Sequence, residues 1–222
     1  MADILTLMRP KQWTKNLVVF AGVIFAHELF DLRLALHAVL AFVLFCLASS
    51  AIYIFNDILD QERDRHHPLK RLRPIASGKV SVPRASTWLV LLALSSFALS
   101  WALHATFAVL VGAYILLMLF YSLRLKQVVI LDVMTVATGF VLRAVGGAVA
   151  IEVHISPWLI VCTILLALFL GFSKRRAEIV ALPAETAQSH RPLLAEYSVG
   201  MLDQMISVVT ASTVLSYCLY TM

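Results

Sequence analysis

The stretch LALHAVLAFVLFCLASSAIYIF, residues 34–55, indicates the fold of this chain. Its length matches the ~20 apolar residues that a helix needs to cross a bilayer. Similar runs recur along the chain, so that 61% of the 222 residues are apolar and only 14% are charged. An ordinary soluble domain has roughly 45–50% apolar and about 25% charged residues. The composition therefore excludes a water-soluble globule and predicts an all-α, polytopic transmembrane helical bundle.

Seven apolar runs are predicted to span the membrane within one integral-membrane domain, residues 1–222. They are Asn16–Phe30, Leu34–Phe55, Ala85–Leu103, Thr106–Leu123, Val128–Ile151, Pro157–Phe172 and Met201–Tyr220. The first has a short apolar centre, because Lys15, Asn16, His27 and Glu28 reduce its hydropathy. The three cysteines are widely spaced, which argues against a disulfide framework.

Basic residues are unevenly distributed around these runs. Of the 18 Lys and Arg residues, all but Arg33 and Arg143 precede the first run or lie in the loops after the second, fourth and sixth. Cytoplasmic loops carry such an excess of basic residues. We therefore place the N-terminus and these loops in the cytoplasm and the protein in the plasma membrane. The net charge of +5 follows from this bias and requires no nucleic-acid partner.

The densest polar segment, NDILDQERD at residues 56–64, directly follows the second run. At about 100° per residue, Asp57, Asp60 and Asp64 share one face of a continuing helix, whereas Glu62 lies on the other side. Carboxylates this close repel one another, and a divalent cation relieves the repulsion most simply. Mg²⁺ usually binds one or two carboxylates together with substrate phosphates. The segment therefore predicts a magnesium site that a phosphorylated substrate completes.

Two other interpretations of this segment stay open. An acidic helix end can simply lie in water and pair with nearby arginines, and His66 and His67 could join Asp64 at a zinc ion, although no further Cys or His stands at ligand spacing. The next segment, HPLKRLRPIASG at residues 67–78, favours a functional site. Its basic side chains suit phosphate oxygens. A cation-binding cluster thus adjoins a phosphate-binding cluster.

These motifs resemble the UbiA-type intramembrane prenyltransferase superfamily. Residues 56–64 are similar to its first aspartate-rich motif. Further segments resemble one branch, the decaprenyl-phosphate phosphoribosyltransferases: RPKQWTKN at 9–16, residues 67–78, LK at 125–126, LRAVGG at 142–147 and KRRAE at 174–178. The resemblance implies a Mg²⁺-dependent enzyme of the inner membrane face. It would join 5-phosphoribosyl diphosphate to a polyprenyl phosphate lipid for cell-wall biosynthesis and release diphosphate.

Two features depart from the superfamily pattern. The superfamily fold has more helices, so the chain is expected to lack the last two. Many members carry a second aspartate-rich motif after the sixth helix, where this chain has the mainly basic segment 173–178. One acidic cluster among several basic ones suits a donor with many phosphate groups. This favours phosphoribosyl transfer over the alternative, prenyl transfer from a prenyl diphosphate to an aromatic or other acceptor. A third interpretation is a transporter that uses the acidic cluster as an ion site. A transporter would place its polar residues near the bilayer midplane and not at one end of the helices, so this interpretation is disfavoured.

The predicted site gives each polar cluster a role. Asp57, Asp60 and Asp64 would bind Mg²⁺ that bridges the diphosphate of the donor. Asn56 would orient these groups or act as a further ligand. The predicted substrate-binding residues are Lys15, Asn16, Lys70, Arg71, Arg73, Tyr121, Lys126, Arg143, Lys174 and Arg175. The lipid phosphate is already an anion and would attack the anomeric carbon directly. The protein would then supply positioning and electrostatic stabilisation without a side-chain nucleophile or general base.

Lys15 and Arg143 also have structural explanations. A lysine that begins a membrane helix beside Trp13 is as readily an interfacial anchor. An arginine deep in a span costs at least about 2.5 kcal/mol unless it faces the bundle interior or a polar cavity. Arg143 is therefore expected to face inward and support the site. Asp132 lies on the same helix face but about three turns away, so that we expect each to have a different partner.

Overall fold

The computed structural model of the protein describes residues 2–26, 28, 30–181 and 192–221, and the regular structure within these ranges is helical. The α-helices are α1 (Ala2–Met8), α2 (Ala21–Phe25), α3 (Leu32–Leu59), α4 (Gln61–Arg65), α5 (Val82–Leu103), α6 (Ala105–Leu123), α7 (Leu131–Ala150), α8 (Pro157–Ala181) and α9 (Val199–Thr221). A long 3₁₀ helix covers Pro10–Phe20, and shorter 3₁₀ turns cover Lys70–Leu72, Leu125–Gln127 and Pro192–Glu196. The predicted all-α class is confirmed.

Among the residues that the structure describes, six helices, α3 and α5 to α9, are long and apolar enough to cross a membrane. They correspond to the second to seventh predicted runs. Large apolar side chains on these helices remain exposed, for example Leu94, Leu116 and Val208. Such a surface is unfavourable in water and suits lipid. The chain is therefore a multi-pass membrane protein.

The first predicted run, Asn16–Phe30, does not form a seventh span of this kind. It begins inside the 3₁₀ helix, and α2 ends at Phe25 after five residues; His27 and Leu29 lie outside the described residues. A 3₁₀ helix has three residues per turn, so residues three apart face the same way. Trp13 and Asn16 use this face to donate to the hydroxyls of Ser50 and Ser49 on α3, at 3.1 and 3.2 Å. Hydropathy alone did not predict this polar pairing.

The chain divides into two compact units. Unit 1 comprises residues 1–119 and 142–154, and unit 2 comprises residues 120–141 and 155–222. Each unit has its own apolar core. The single domain expected from the sequence stays a prediction.

The core of unit 1 surrounds α3, which packs against α5, the 3₁₀ helix and α1. The ring of Phe45 contacts Phe107 and Tyr114 edge to face, with both centroids 5.6 Å away. Close packing also requires Gly147, because a Cβ there would lie 1.9 Å from the carbonyl oxygen of Val19. This glycine therefore allows α7 to approach the backbone of the 3₁₀ helix.

Unit 2 is built on the pairing of α8 with α9. Its core contains Val133, Phe172, Tyr197 and Leu202. A Cβ at Gly171 would lie 2.4 Å from the side chain of Val133. The contact at Gly171 thus involves a side-chain methyl, whereas the contact at Gly147 involves backbone.

Candidate active site

The acidic segment lies where α3 passes into α4. Asp60 separates the two helices, and its carbonyl still accepts a hydrogen bond from the amide of Asp64 at 2.8 Å, so the chain keeps a helical course. Asp57 and Asp64 are buried, Asp60 is half-buried, and Glu62 is exposed. Glu62 pairs with Arg65 at 2.9 Å, away from the buried carboxylates. The helical spacing correctly separated Glu62 from Asp57 and Asp64.

The carboxylates of Asp57 and Asp64 converge on one guanidinium. Nη1 of Arg73 lies 3.0 Å from Oδ1 of Asp57 and 2.5 Å from Oδ2 of Asp64. Both acidic side chains are at most 3% exposed, whereas the arginine side chain is 27% exposed. Arg73 is thus a partly exposed cation that pairs with two buried carboxylates.

Arg9 supplies a second cation at this cluster. Its guanidinium pairs with Oδ1 of Asp57 and lies 5.3 Å from the centroid of the Tyr53 ring. The backbone of Arg9 is left-handed, with a φ of 54°, at the point where the chain enters the 3₁₀ helix. Arg9 belongs to the segment that carried the family resemblance, but it was not predicted as a site residue. Its contact with Asp57 depends on the packing of distant segments.

The loop after α4 positions Arg73. The residue before a proline is held in extended geometry, and Arg73 has a ψ of 143°. Ile75 and Val80 are buried and anchor the loop. Lys70 and Arg71, on the preceding turn, are exposed. The described contacts thus connect only the last of these three predicted phosphate ligands to the carboxylates.

His66 and His67 make hydrogen bonds to backbone groups close to them in the sequence. Nδ1 of His67 accepts the backbone amide of Leu69 at 3.2 Å, and Nδ1 of His66 lies 2.9 Å from the carbonyl oxygen of Glu62. Within the ranges that the structure describes, no three His, Cys, Asp or Glu side chains converge as a metal-binding group. The zinc interpretation therefore has no support from this geometry.

The carboxylates can still contribute to a magnesium site. Asp57 and Asp64 offer oxygen ligands, and they already share one cation, Arg73. Mg²⁺ typically needs only one or two carboxylates when substrate phosphates complete its shell. The donor set therefore fits Mg²⁺, and the role of Asp60 and Asn56, both half-buried nearby in the sequence, stays a prediction.

Asn16 lies deep in unit 1. It is 0% exposed, and its amide donates to the sulfur of Cys46 and the hydroxyl of Ser49, each at 3.2 Å. Its side-chain oxygen has no hydrogen-bond partner among the described residues. The neighbouring Lys15 is exposed. The two residues that the sequence grouped together thus occupy different environments.

Arg143 faces the interior of unit 1, as predicted. It is 6% exposed, its Nη2 donates to the hydroxyl of Tyr114 at 2.7 Å, and its guanidinium carbon lies 4.6 Å from the centroid of that ring. Asp132 instead binds Arg175. The expectation that Arg143 and Asp132 have different partners is therefore confirmed.

In unit 2, Arg175 is buried among acidic partners. Its Nε donates to Oδ2 of Asp132 at 2.7 Å, and its Nη1 donates to Oε2 of Glu178 at 2.8 Å. Tyr197 donates to the other oxygen of Asp132 at 2.6 Å. Sequence analysis did not identify Tyr197, because a single aromatic residue before the last apolar run has no distinctive spacing.

The remaining predicted ligands in unit 2 are less enclosed. Lys174 is exposed and lies 3.9 Å from Glu178. Tyr121, at the end of α6, and Lys126, in the following 3₁₀ turn, are half-buried. Their roles as substrate ligands stay predictions.

Comparisons with known proteins agree with this architecture. The model of the UbiA prenyltransferase family matches residues 16–177. The chain is 36% identical over 225 residues to decaprenyl-phosphate phosphoribosyltransferase of Mycolicibacterium smegmatis, covering 99% of this chain and 70% of the relative. It is 37% identical over 217 residues to the protein of the same name from Corynebacterium glutamicum, covering 96% and 65%.

The fold is also found in a solved structure. A UbiA homologue from Archaeoglobus fulgidus, bound to GPP and Mg²⁺, superposes with a TM-score of 0.77 over 99% of this chain and 76% of that one. The two sequences are only 18% identical, so this likeness shows the fold alone. The membrane helices, the aspartate-rich end of α3 and the family match over residues 16–177 lead to one conclusion: the chain belongs to the UbiA prenyltransferase family.

Proposed function

We propose that the protein transfers the phosphoribosyl group of 5-phosphoribosyl diphosphate to a polyprenyl phosphate and releases diphosphate. The observation that carries this proposal is the 36–37% identity, over 96–99% of the chain, to decaprenyl-phosphate phosphoribosyltransferases. The names of these relatives make decaprenyl phosphate the first acceptor to test. They favour phosphoribosyl transfer over prenyl transfer to an aromatic acceptor.

The charge arrangement of unit 1 supports a donor that carries several phosphates. Arg9 and Arg73 are each about one quarter exposed, so their guanidinium groups are accessible while they pair with buried carboxylates. Planar guanidinium groups bind phosphate oxygens in pairs of hydrogen bonds. We propose that these two arginines hold the phosphates of the donor, and that Asp57 keeps them oriented toward the site.

Asp57 and Asp64 are the residues that would hold Mg²⁺. When bound, this ion would neutralise the negative charge that develops on the diphosphate leaving group. Both carboxylates contact the guanidinium of Arg73, and that of Asp57 also contacts Arg9. This role would explain why two carboxylates are buried side by side at the end of a membrane helix.

The transfer needs no proton acceptor in the protein. An oxygen of the lipid phosphate forms the new bond to the anomeric carbon of ribose. The old bond from that carbon to oxygen breaks, and its electron pair leaves with diphosphate. The attacking phosphate is an anion, so the protein contributes orientation and charge stabilisation.

We further propose that the acidic end of α3 faces the cytoplasm in the plasma membrane. The segment from α4 to the first turn of α5 and the segment that follows α6 carry nine of the 18 basic residues, namely Arg63, Arg65, Lys70, Arg71, Arg73, Lys79, Arg84, Arg124 and Lys126. Basic loops usually remain on the cytoplasmic side. A water-soluble sugar donor would therefore reach the site from the cytoplasm.

A two-donor assay tests the reaction. The purified protein is incubated with Mg²⁺ and either decaprenyl phosphate plus labelled 5-phosphoribosyl diphosphate, or labelled prenyl diphosphate plus hydroxybenzoate. We expect label to enter the lipid phase as a phosphoribosyl lipid in the first reaction and no prenylated product in the second. Product in the second reaction alone would reject the proposal in favour of prenyl transfer.

A further inference from the structure

Polar side chains follow one face of α3 from its acidic end into the membrane-spanning part. Cys46, Ser50, Tyr53 and Asp57 are three or four residues apart, so they lie on the same face of the helix. Polar groups within a membrane helix usually face the protein interior or a polar cavity, where they find partners. Each of these four side chains is therefore expected to have a polar partner, either in the protein or in a ligand.

Three of the four side chains have their partners within unit 1. The sulfur of Cys46 accepts from the amide of Asn16 at 3.2 Å. The hydroxyl of Ser50 accepts from the indole of Trp13 at 3.1 Å. Asp57 pairs with two arginines. The polar face is thus satisfied by the protein itself on either side of Tyr53.

The hydroxyl of Tyr53 is the exception. Among the residues that the structure describes, it has no hydrogen-bond partner, and it is not one of their enclosed polar atoms. The residue is half-buried, so part of its side chain is accessible from outside the fold. An accessible hydroxyl without a protein partner leaves a hydrogen bond for a ligand to accept.

Two cations make the surroundings of this hydroxyl favourable for an anion. The guanidinium of Arg9 lies 5.3 Å from the centroid of the Tyr53 ring, and its side chain is 26% exposed. The positive charge of Arg143, whose guanidinium donates to Tyr114 at 2.7 Å, also acts on the Tyr53 hydroxyl. Phosphate oxygens bind strongly where cationic groups and hydrogen-bond donors lie together. The ligand that suits this position is therefore a phosphate.

Tyr53 lies on the membrane side of the proposed magnesium site. It precedes Asp57 by one helical turn, about 6 Å along the axis of α3. The two proposed substrates approach this region differently, because a polyprenyl chain stays in the lipid whereas the sugar donor is water-soluble. A phosphate that arrives from the membrane side therefore reaches Tyr53 before it reaches Asp57.

We propose that Tyr53 is a substrate-binding residue whose hydroxyl donates a hydrogen bond to the phosphate of the lipid acceptor. This inference rests on the proposed function and adds to it a residue that receives the acceptor. The hydrogen bond goes to a phosphate oxygen other than the one that forms the bond to ribose. Tyr53 keeps its proton throughout, so it orients the nucleophile without taking part in bond making.

Steady-state kinetics of Tyr53→Phe test the inference. The substitution removes only the hydroxyl and keeps the ring beside Arg9. We expect the KM for decaprenyl phosphate to rise about tenfold, the order of one hydrogen bond to a charged group, while the KM for 5-phosphoribosyl diphosphate changes less than about twofold. Tyr217→Phe, on the exposed face of α9, is the matched control and should leave both constants unchanged. An unchanged KM for the acceptor, or an equal rise for the donor, would overturn the inference.

Thermal unfolding without ligand distinguishes this role from a structural one. The Tyr53 hydroxyl makes no hydrogen bond within the described part of the chain, so Tyr53→Phe should unfold at the same temperature as the wild type. Ser50→Ala, on the same helix face, removes a hydroxyl that has protein partners and should lower that temperature. A Tyr53→Phe protein that unfolds earlier, or does not fold, would show that the hydroxyl serves the fold and would overturn the inference.

A binding measurement keeps this test separate from the proposed reaction. Geranyl phosphate, a short lipid phosphate, should protect the wild-type chain from thermal unfolding and should protect Tyr53→Phe less. The same difference with inorganic phosphate would assign the site to free phosphate and overturn the inference. If geranyl phosphate gives the expected pattern but the protein shows no transfer, the proposed function fails and the lipid-phosphate site stands. If geranyl phosphate protects both proteins equally, the lipid-phosphate site fails whatever the reaction.

Discussion

The two acidic clusters of the protein differ in how their arginines are held. At the end of α3, Asp57 and Asp64 share Arg73, whose side chain is 27% exposed. In unit 2, Asp132 binds an Arg175 side chain that is only 7% exposed, and the other oxygen of Asp132 accepts a hydrogen bond from Tyr197. A partly exposed ion pair exchanges partners at little cost, whereas breaking a buried one leaves an uncompensated charge. The first cluster is therefore suited to binding a ligand, and the second to holding a side chain in place.

The largest effect is expected at the first cluster. Asp57→Asn should lower turnover by about a thousandfold, because it removes a carboxylate that contacts both Arg9 and Arg73 and is a candidate metal ligand. The lipid-transfer assay measures this loss, and size-exclusion chromatography checks that the variant remains folded. Glu62→Gln, on the exposed side of the same turn, is the control and should be mild. Equal losses from both would contradict the assignment of the site to the buried face.

The second cluster should dominate stability. Asp132→Ala leaves the guanidinium of Arg175 buried without its main partner, and we expect a loss of about 3–4 kcal/mol in the free energy of unfolding. Asp203→Ala removes the carboxylate from an exposed pair with Arg176 and should cost less than about 1 kcal/mol. Denaturant titration in detergent compares the two. Similar losses would contradict the distinction between a buried ion pair, which is costly to break, and an exposed pair, which exchanges partners at little cost.

Helix packing also differs between the two units, and substitutions at one glycine in each unit test the difference. Gly147→Ala in unit 1 forces a methyl group against the carbonyl of Val19 and should destabilise the protein by about 2–3 kcal/mol. Gly171→Ala in unit 2 meets only the side chain of Val133, which can move, and should cost about 1 kcal/mol. Gly200→Ala has no neighbour within 4 Å of the new Cβ and serves as the control. Thermal unfolding in detergent measures all three, and the reverse order for the first two would contradict this packing.

The smallest effect is expected at Arg73, the partly exposed arginine of the first cluster. Arg73→Lys keeps the charge but loses the planar guanidinium, so we expect the KM for 5-phosphoribosyl diphosphate to rise about tenfold. Arg84→Lys, at the exposed start of α5, should have no measurable effect. A rise of the same size in both variants would indicate general attraction by the basic loop instead of a specific contact.

Local sequence patterns predicted much of the architecture. The six spans found in the described part of the chain followed from long apolar runs, because hydropathy is a property of each segment alone. The common side of Asp57 and Asp64 followed from helical periodicity, as did the exposed position of Glu62. The family resemblance rested on contiguous motifs and was confirmed by the family match.

The partners of the charged residues could not be predicted in the same way. The sequence showed Arg143 and Asp132 on one helix face, but it could not show that Tyr114 binds the first and Arg175 the second. The pairing of Arg9 with Asp57 joins residues that are 48 positions apart. Such contacts depend on how distant segments pack, and no local pattern encodes that packing.

The sequence by itself determined that this chain is a membrane-embedded helical protein with an acidic turn beside a basic loop. The free energy of moving a segment from water to lipid depends on that segment alone, and so does the pattern set by the 3.6-residue period of the α-helix. Both can therefore be deduced from the residues of the segment. Only the tertiary structure decided that the first apolar run is divided between a 3₁₀ helix and the short α2, and that Tyr197 donates to the carboxylate that holds Arg175. The reason is that a buried polar group must find its hydrogen-bond partner wherever the fold provides one.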